Sequence, residues 1–275
     1  MTLLGAGPSL LFCPGDRADR FGKALGRADV VILDLEDAIG ADRKDAARAQ
    51  VAAAAAAEPE RAVVRINAVD TPWFDDDVAA MRAAGVRTLM LPKASRSEHL
   101  RALHGFDVIA LCETAAGVLA ASRLAAEPNC VALMWGGEDL VADIGGRSSR
   151  GPDGRYRPMI EQARATVLFA AAAEGKAAID AVHIDISDLD GLRRESIEAA
   201  AMGFRAKACI HPGHVPPIRE AFRATDDQIT WAQSVLAHPD ASTGGVFRLG
   251  DQMIDGPLIA HAHTIIERTI PCTSN

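Results

Sequence analysis

Aromatic side chains are scarce in this 275-residue chain: they make up 4% of it and include a single tyrosine, Tyr156. A core must therefore be packed from aliphatic residues, and at 49% hydrophobic content there are enough of them for one large domain. No segment approaches the roughly 18 consecutive apolar residues of a bilayer-crossing helix, so no membrane partner is expected. Basic residues are outnumbered by acidic ones, 29 against 37, for a formal charge of −8. A protein that grips nucleic acid phosphates needs a cationic surface, so no nucleic acid partner is expected either. The five cysteines, Cys13, Cys112, Cys130, Cys209 and Cys272, are odd in number and form no CxxC pair, which speaks against a disulfide framework or a zinc site and for a reducing, cytoplasmic setting. The first 13 residues carry no Lys or Arg and are broken by Gly5, Gly7 and Pro8, unlike a secretory signal.

What the chain does have is a rhythm. Eight short apolar runs, at 9–15, 30–37, 62–68, 88–94, 108–114, 131–139, 181–187 and 206–212, alternate with stretches of helical character. Nearly continuous apolar runs are what strands covered on both faces look like, and eight βα alternations predict a (β/α)8 TIM barrel. Helices are predicted over 18–27, 43–57, 71–84, 97–104, 115–126, 158–174, 189–202 and 215–222, with Gly85, Gly105, Gly175 and Gly203 at or near their ends. The barrel is assigned to 1–225. The remaining segment, 226–275, reads as a C-terminal helical lid with helices at 226–236 and 257–268. A Gly-rich, basic stretch at 145–155 exceeds the βα template and is expected to be a lid or clamp.

In a barrel of this kind chemistry sits where strands end. The predicted ends carry Asp34, Glu36 and Asp37, then Arg65, Lys93, Glu113, Glu138 with Asp139, and Asp185 with Asp188. So many carboxylates around one mouth repel one another unless a cation lies among them. Glu113 and Asp139 form the natural pair for a hard divalent ion such as Mg²⁺, which takes one or two carboxylates and fills its other positions with water and substrate oxygens. An ion-pair network with Arg65 and Lys93 is the alternative. Arg65, inside an apolar strand, either grips a substrate carboxylate or pairs with Asp34, Glu36 or Asp37. Lys93 could form a Schiff base with a carbonyl substrate or simply neutralise the acidic ring. Cys13, Cys112 and Cys209 read as core residues. His183, His211 and His214 show no metal-ligand spacing, and His211 reads as shaping the turn after the last strand.

The segments SLLFCPGDRADRFGKA, VILDLEDAI, VVRINAVDTPWF, LMLPKA, LCETAAGV, MWGGEDL and CIHP occur in this order from about residue 9, and FRLGDQMIDGPLIAHA follows near the end. Together they resemble the citrate lyase beta subunit and its stand-alone relatives among the HpcH/HpaI aldolases and citrate lyases. Within the family the likeness is greatest to the mycobacterial, stand-alone type. The resemblance implies a Mg²⁺-dependent lyase that cleaves or forms a β-hydroxyacyl-CoA such as citramalyl-CoA or malyl-CoA, with thioester hydrolysis left open as a second step. It places the metal on Glu113 and Asp139, the substrate carboxylate on Arg65, and metal-bound water on Glu36 and Asp37. Gly136 and Gly137 fall at the substrate, and Asp255 corresponds to an acid/base supplied by a neighbouring subunit of a homo-oligomer. Acyl-CoA and a 2-keto acid are the implied small-molecule partners. Arg17, Arg20 and Lys23, with Arg147 and Arg150, are the local basic residues that could receive CoA phosphates. The chain departs from the common pattern at Ala116 and at Gly213–His214. Two other readings stay open from the residues alone: a Schiff-base aldolase using Lys93, and an acyl-CoA-binding subunit without activity of its own.

Overall fold

The computed structural model describes residues 5–37, 39–243 and 245–269. Eight parallel strands close into a barrel in sequence order: β1 (Ser9–Pro14), β2 (Val30–Asp34), β3 (Ala62–Arg65), β4 (Thr88–Leu91), β5 (Asp107–Cys112), β6 (Cys130–Trp135), β7 (Ala177–Asp180) and β8 (Ala206–Cys209), with β8 pairing back onto β1. The connecting helices are α1 (Ala18–Leu25), α2 (Lys44–Ala57), α3 (Phe74–Ala84), α4 (Ser97–Arg101), α5 (Ala115–Ala125), α6 (Gly137–Asp143), α7 (Pro158–Ala173), α8 (Leu189–Met202) and α9 (Val215–Phe222). This is the (β/α)8 fold the apolar rhythm predicts. All five residues of β2 and all four of β4 are buried, as strands covered on both sides require. The core includes Leu10, Ile32, Val63, Met90, Ile109 and Met134, aliphatic and sulfur side chains that fill the space aromatics leave free. The alanine run 52–57 lies within α2, whose small side chains allow close packing. Gly85, at φ 72°, ends α3 in the left-handed region that glycine enters without strain.

Two boundaries differ from the sequence reading. The seventh strand is AAID at Ala177–Asp180, whereas the run 181–187 is a loop with Ile184 and Ile186 about half exposed. The alternation in VHIDI looks like a strand, while two alanines give the true strand little β signal. Asp185 and Asp188 therefore sit in the loop beyond β7, and Asp188 caps α8 by accepting the Gly191 N–H at 2.8 Å. The sixth strand stops at Trp135, so Glu138 and Asp139 lie in the first turn of α6, where negative charge suits the helix dipole.

β7 and β8 carry charge into the interior. Asp180 and Lys207 are register partners, both completely buried, with Lys207 Nζ 2.8 Å from Asp180 Oδ2 and 2.7 Å from the Ala181 carbonyl. Arg164 from α7 donates to both oxygens of Asp180 at 2.9 and 3.2 Å, and the Trp135 indole N–H donates to it at 2.9 Å. Burial opposes the charge on Asp180, but Lys207 and Arg164 outweigh it and hold the carboxyl below its ordinary range.

Residues up to Ala221 form one compact unit and those from Phe222 onward a second. The second unit contains α10 (Asp226–Leu236), a hairpin of β9 (Phe247–Leu249) and β10 (Gln252–Ile254), and α11 (Gly256–Thr269). The hairpin was not evident in the sequence, where three-residue strands are too short to show a period. Val235, Phe247, Ile254, Ile259, Ala262 and Ile265 give this unit its own small core. A capping box, Thr225 with Gln228, starts α10. Among the described residues no helix is long and apolar enough to cross a membrane. Cys272 lies outside the described residues.

Removing one member of a buried charge pair leaves the other uncompensated. Lys207→Met is therefore expected to lower stability by about 3–5 kcal/mol, read as a fall in the urea midpoint; an unchanged midpoint would mean that Arg164 alone satisfies Asp180.

Candidate active site

The C-terminal ends of the strands surround a cavity of about 330 Å³, near the lower size for a small-molecule site. Arg65, Asp37, Glu113, Gly136, Gly137 and Asp139, all singled out from the sequence, line it. Asp34, Glu138, Tyr156, Trp135 and the apolar side chains of Phe12, Leu111 and Met134 complete much of the wall.

Glu113, one residue past β5, is 2% exposed. Burial first, then the charges of Asp139 and Glu36, push its carboxyl up to about 8, while Arg65 and Lys93 pull the other way. One of its oxygens accepts the Lys93 backbone N–H at 3.0 Å. Lys93 is the one non-glycine residue at positive φ among those described, at 51°, an uncommon conformation that turns its N–H toward Glu113. Gly136 leaves the room this carboxylate occupies: a Cβ there would lie 2.9 Å from Glu113 Cβ and 3.1 Å from its Oε2.

Arg65, at the end of β3, donates from Nε and Nη2 to the two oxygens of Asp34, both at 2.7 Å, a bidentate pair. Its Nη1 is 2.9 Å from Glu36 and 3.8 Å from Asp37. All three carboxylates considered as partners from the sequence thus meet Arg65, which also keeps a face on the cavity. Burial disfavours its charge, yet Asp34, Glu36 and Glu113 hold the guanidinium above its ordinary value. Glu36 is buried, and desolvation raises its carboxyl against the pull of Arg65 and Lys93. Asp37 is more than half exposed.

Lys93 Nζ bonds Glu36. Burial lowers the affinity of this amine for its proton, but Glu36, Glu113 and Asp37 outweigh that and raise it. A Schiff-base lysine needs the opposite shift, and Lys93 is not among the residues lining the cavity. The structure favours its role as a neutralising partner. Burial also pushes the thiols of Cys13 and Cys209 up, to about 11 and about 12, in keeping with core packing.

The Gly-rich stretch is a folded wall. Arg150 bridges to Tyr156, Ser149 Oγ donates to Glu138 at 2.5 Å, and the Arg150 guanidinium stacks on the Tyr156 ring at 3.9 Å while bonding Glu195 and the Gly154 carbonyl. Tyr156 in turn meets Trp135 edge to face, ring centres 5.2 Å apart. Arg150 is thereby engaged and leaves the set of free phosphate ligands, whereas Arg147 is exposed. Arg20 and Lys23 are exposed on α1, and Arg17 pairs with Asp19.

His183, which showed no cluster spacing with His211 and His214 in the sequence, comes near them because the loops after β7 and β8 are neighbours: ring centres are 6.4 Å apart for His183 and His214 and 5.9 Å for His211 and His214. His183 Nδ1 lies 3.1 Å from Glu195. Among the described residues, no group of three or more His, Cys, Asp or Glu side chains is arranged to hold a metal. Of the carboxylates on the cavity wall, Asp34 and Asp37 lie against Arg65 and Glu138 accepts from Ser149, which leaves Glu113 and Asp139. Their all-oxygen chemistry and the high affinity of buried Glu113 for a proton suit a hard divalent cation, which would replace that proton. Asp255 belongs to the second unit, just ahead of α11, with its carboxylate 3.4 Å from the Leu258 N–H.

Asp180, Lys207, Arg164, Glu195 and Lys44 were missed in the sequence. Lys207 in AKAC and Asp180 in AAID carried a signal, a charge inside an apolar run, like the one that drew attention to Arg65.

A parallel barrel with several carboxylates and a largely enclosed arginine on one cavity defines a class of acid-lined (β/α)8 proteins suited to a metal ion and an anionic substrate. The model of the HpcH/HpaI aldolase/citrate lyase family matches residues 8–106 and 102–212, and the chain belongs to this family. It is 46% identical over 274 residues, covering 100% of both chains, to a citrate lyase subunit beta-like protein of Mycobacterium tuberculosis. It is 33% identical to the mitochondrial citramalyl-CoA lyase of Mus musculus, over 94% of this chain and 84% of that one. Among solved structures, protein CitE of Mycobacterium tuberculosis in complex with magnesium, acetoacetate and coenzyme A superposes with a TM-score of 0.89 at 46% identity, covering 97% of this chain and 99% of the other.

The Glu195 cluster sets an acid limit on this wall. Burial alone would raise Glu195, but His183, Lys207 and Arg150 outweigh it and bring the carboxyl down from 4.5 to about 2. A depressed carboxyl contributes stability that is full above its unfolded value and lost as pH falls through the folded one. Stability is expected to drop between pH 4.5 and about 2 in urea titrations, and Glu195→Gln to flatten that drop; an equally steep profile in the variant would remove Glu195 as its source.

Proposed function

We propose that the protein is a Mg²⁺-dependent carbon–carbon lyase that cleaves, or in reverse forms, a β-hydroxyacyl-CoA of the citramalyl-CoA or malyl-CoA type, giving acetyl-CoA and a 2-keto acid. The observation that carries this reading is the sharing of one cavity by Arg65, Glu113 and Asp139. The chemistry of the mouse relative and the ligands of the mycobacterial structure point the same way.

Glu113 and Asp139 would hold Mg²⁺, which when bound would supply Lewis acidity to the reaction. Arg65 orients the substrate carboxylate, its guanidinium pre-set by Asp34 so that little reorganisation accompanies binding. Glu36 and Asp37 accept hydrogen bonds from water at the mouth and fix Arg65 from the other side. Leu111, Met134 and Tyr156 line the cavity, with Tyr156 packed edge to face on buried Trp135, which limits water around the breaking bond. In cleavage the hydroxyl gives its proton to water at the mouth, from which Asp255 takes one up; the hydroxyl carbon becomes the keto carbon, and the electron pair of the C–C bond passes to the thioester fragment as an enolate. Asp255, delivered by the second unit of a neighbouring copy in a homo-oligomer, protonates that enolate at carbon, and removes the same proton in the reverse direction. Gly136 and Gly137 let substrate approach the backbone of the α6 turn, and Arg17, Arg20 and Lys23 are the basic residues offered to CoA phosphates.

Product analysis of the pure protein with citramalyl-CoA and malyl-CoA tests this. Acetyl-CoA and pyruvate or glyoxylate should form with Mg²⁺ and not with EDTA, and Arg65→Ala should lower kcat/KM at least a hundredfold. Mixing inactive Arg65→Ala and Asp255→Ala chains should restore part of the activity, as one intact site then forms across two copies. Cleavage that persists in EDTA and is trapped by borohydride would overturn the reading in favour of Lys93.

A further inference from the structure

Lys44 lies in the first turn of α2, is buried, and is absent from the cavity wall. An ammonium has three N–H donors, and here all three find acceptors: the Leu35 carbonyl at 2.7 Å, the Glu36 carbonyl at 2.8 Å and Asn67 Oδ1 at 2.5 Å. The Trp73 ring lies against the same nitrogen, 4.8 Å from its centroid. The acceptors come from the two loops that carry the acidic and basic halves of the site. Leu35 and Glu36 follow β2 and lead into Asp37, while Asn67 follows Arg65 by two residues. Asn67 is itself fixed from behind, its backbone and side-chain N–H groups donating to buried Asp77 at 2.9 and 2.6 Å, and Arg48 holds Asp77 at 2.7 Å.

We propose that Lys44 is a positioning residue for the site: by gathering these three acceptors around one charge it sets Glu36 and Asp37 against Arg65. Without it two carbonyls and an amide oxygen would converge on nothing, and the loop bearing Glu36 would relax away from β3. The reaction served is the lyase chemistry proposed above, on which this inference rests; the effect on binding of a keto acid does not depend on cleavage. Arg61 offers an internal comparison. It too gathers three acceptors, here the backbone carbonyls of Leu25, Ala28 and Asp29, but it stands immediately before β3, at the opposite end of that strand from Arg65.

The test uses the full chain carrying Lys44→Met or Arg61→Met. With citramalyl-CoA and Mg²⁺, Lys44→Met should lower kcat at least tenfold with KM within threefold of wild type. Calorimetric affinity for pyruvate in the presence of Mg²⁺ should weaken at least tenfold. Arg61→Met should lower Tm yet keep kcat and pyruvate affinity within twofold. Wild-type kcat and pyruvate affinity in Lys44→Met would overturn the proposal, as would parallel losses in both variants that track Tm. If Lys44→Met does not fold, Lys44→Arg is read against the same thresholds, because its planar fork keeps the charge but cannot match three converging acceptors. A wild-type chain that binds pyruvate but cleaves no thioester overturns the lyase reading alone, and the pyruvate arm then decides the role of Lys44.

Discussion

Two carboxylates that share a cavity, one of them almost fully buried, cannot both stay ionised unless a positive charge joins them. Glu113 and Asp139 impose this condition, and much of the surrounding structure answers to it. Gly136 leaves room for the Glu113 carboxylate, and Lys93 adopts a strained backbone to give it an N–H. The remaining acids, Asp34, Glu36 and Asp37, are drawn off to Arg65, so that they do not compete for the same cation.

Around this centre lie two buried polar networks. On the side of β2 and β3, Lys44, Asn67, Asp77 and Arg48 tie together the loops that follow those strands. On the side of β6, β7 and β8, Lys207 and Arg164 hold Asp180, which holds Trp135, whose ring meets Tyr156. Such networks add little net stability when complete and cost much when broken, so their value lies in fixing one arrangement of the mouth. The −8 charge of the chain is consistent with this distribution: acids concentrate at the barrel mouth, and basic residues serve as their structural partners.

The barrel was legible because β1 to β6 and β8 coincide with apolar runs long enough to stand out, and because the glycines after α3 and α8 end helices by a backbone requirement that sequence displays. β7 was not, since Ala177 and Ala178 hide a strand and Ile184 and Ile186 mimic one. Arg65, Glu113 and Asp139 could be picked out as polar residues at run ends. Asp139 was placed on a strand end, but the two glycines before it turn the chain into α6. Lys44, Arg164 and Glu195 sit on helices among other charges, where only the fold reveals which face is inward. The approach of His183 to His214 is likewise a product of closing β7 onto β8.

The proposed seat of the cation between Glu113 and Asp139 carries the functional reading, and locating the ion directly is the decisive measurement. Crystals of the protein equilibrated with Mn²⁺ in place of Mg²⁺ and measured at the manganese absorption edge should show one strong anomalous peak in contact with both carboxylates, lost in Glu113→Gln. A peak at His183 and His214 instead, or none with Glu113 and Asp139 intact, would contradict it.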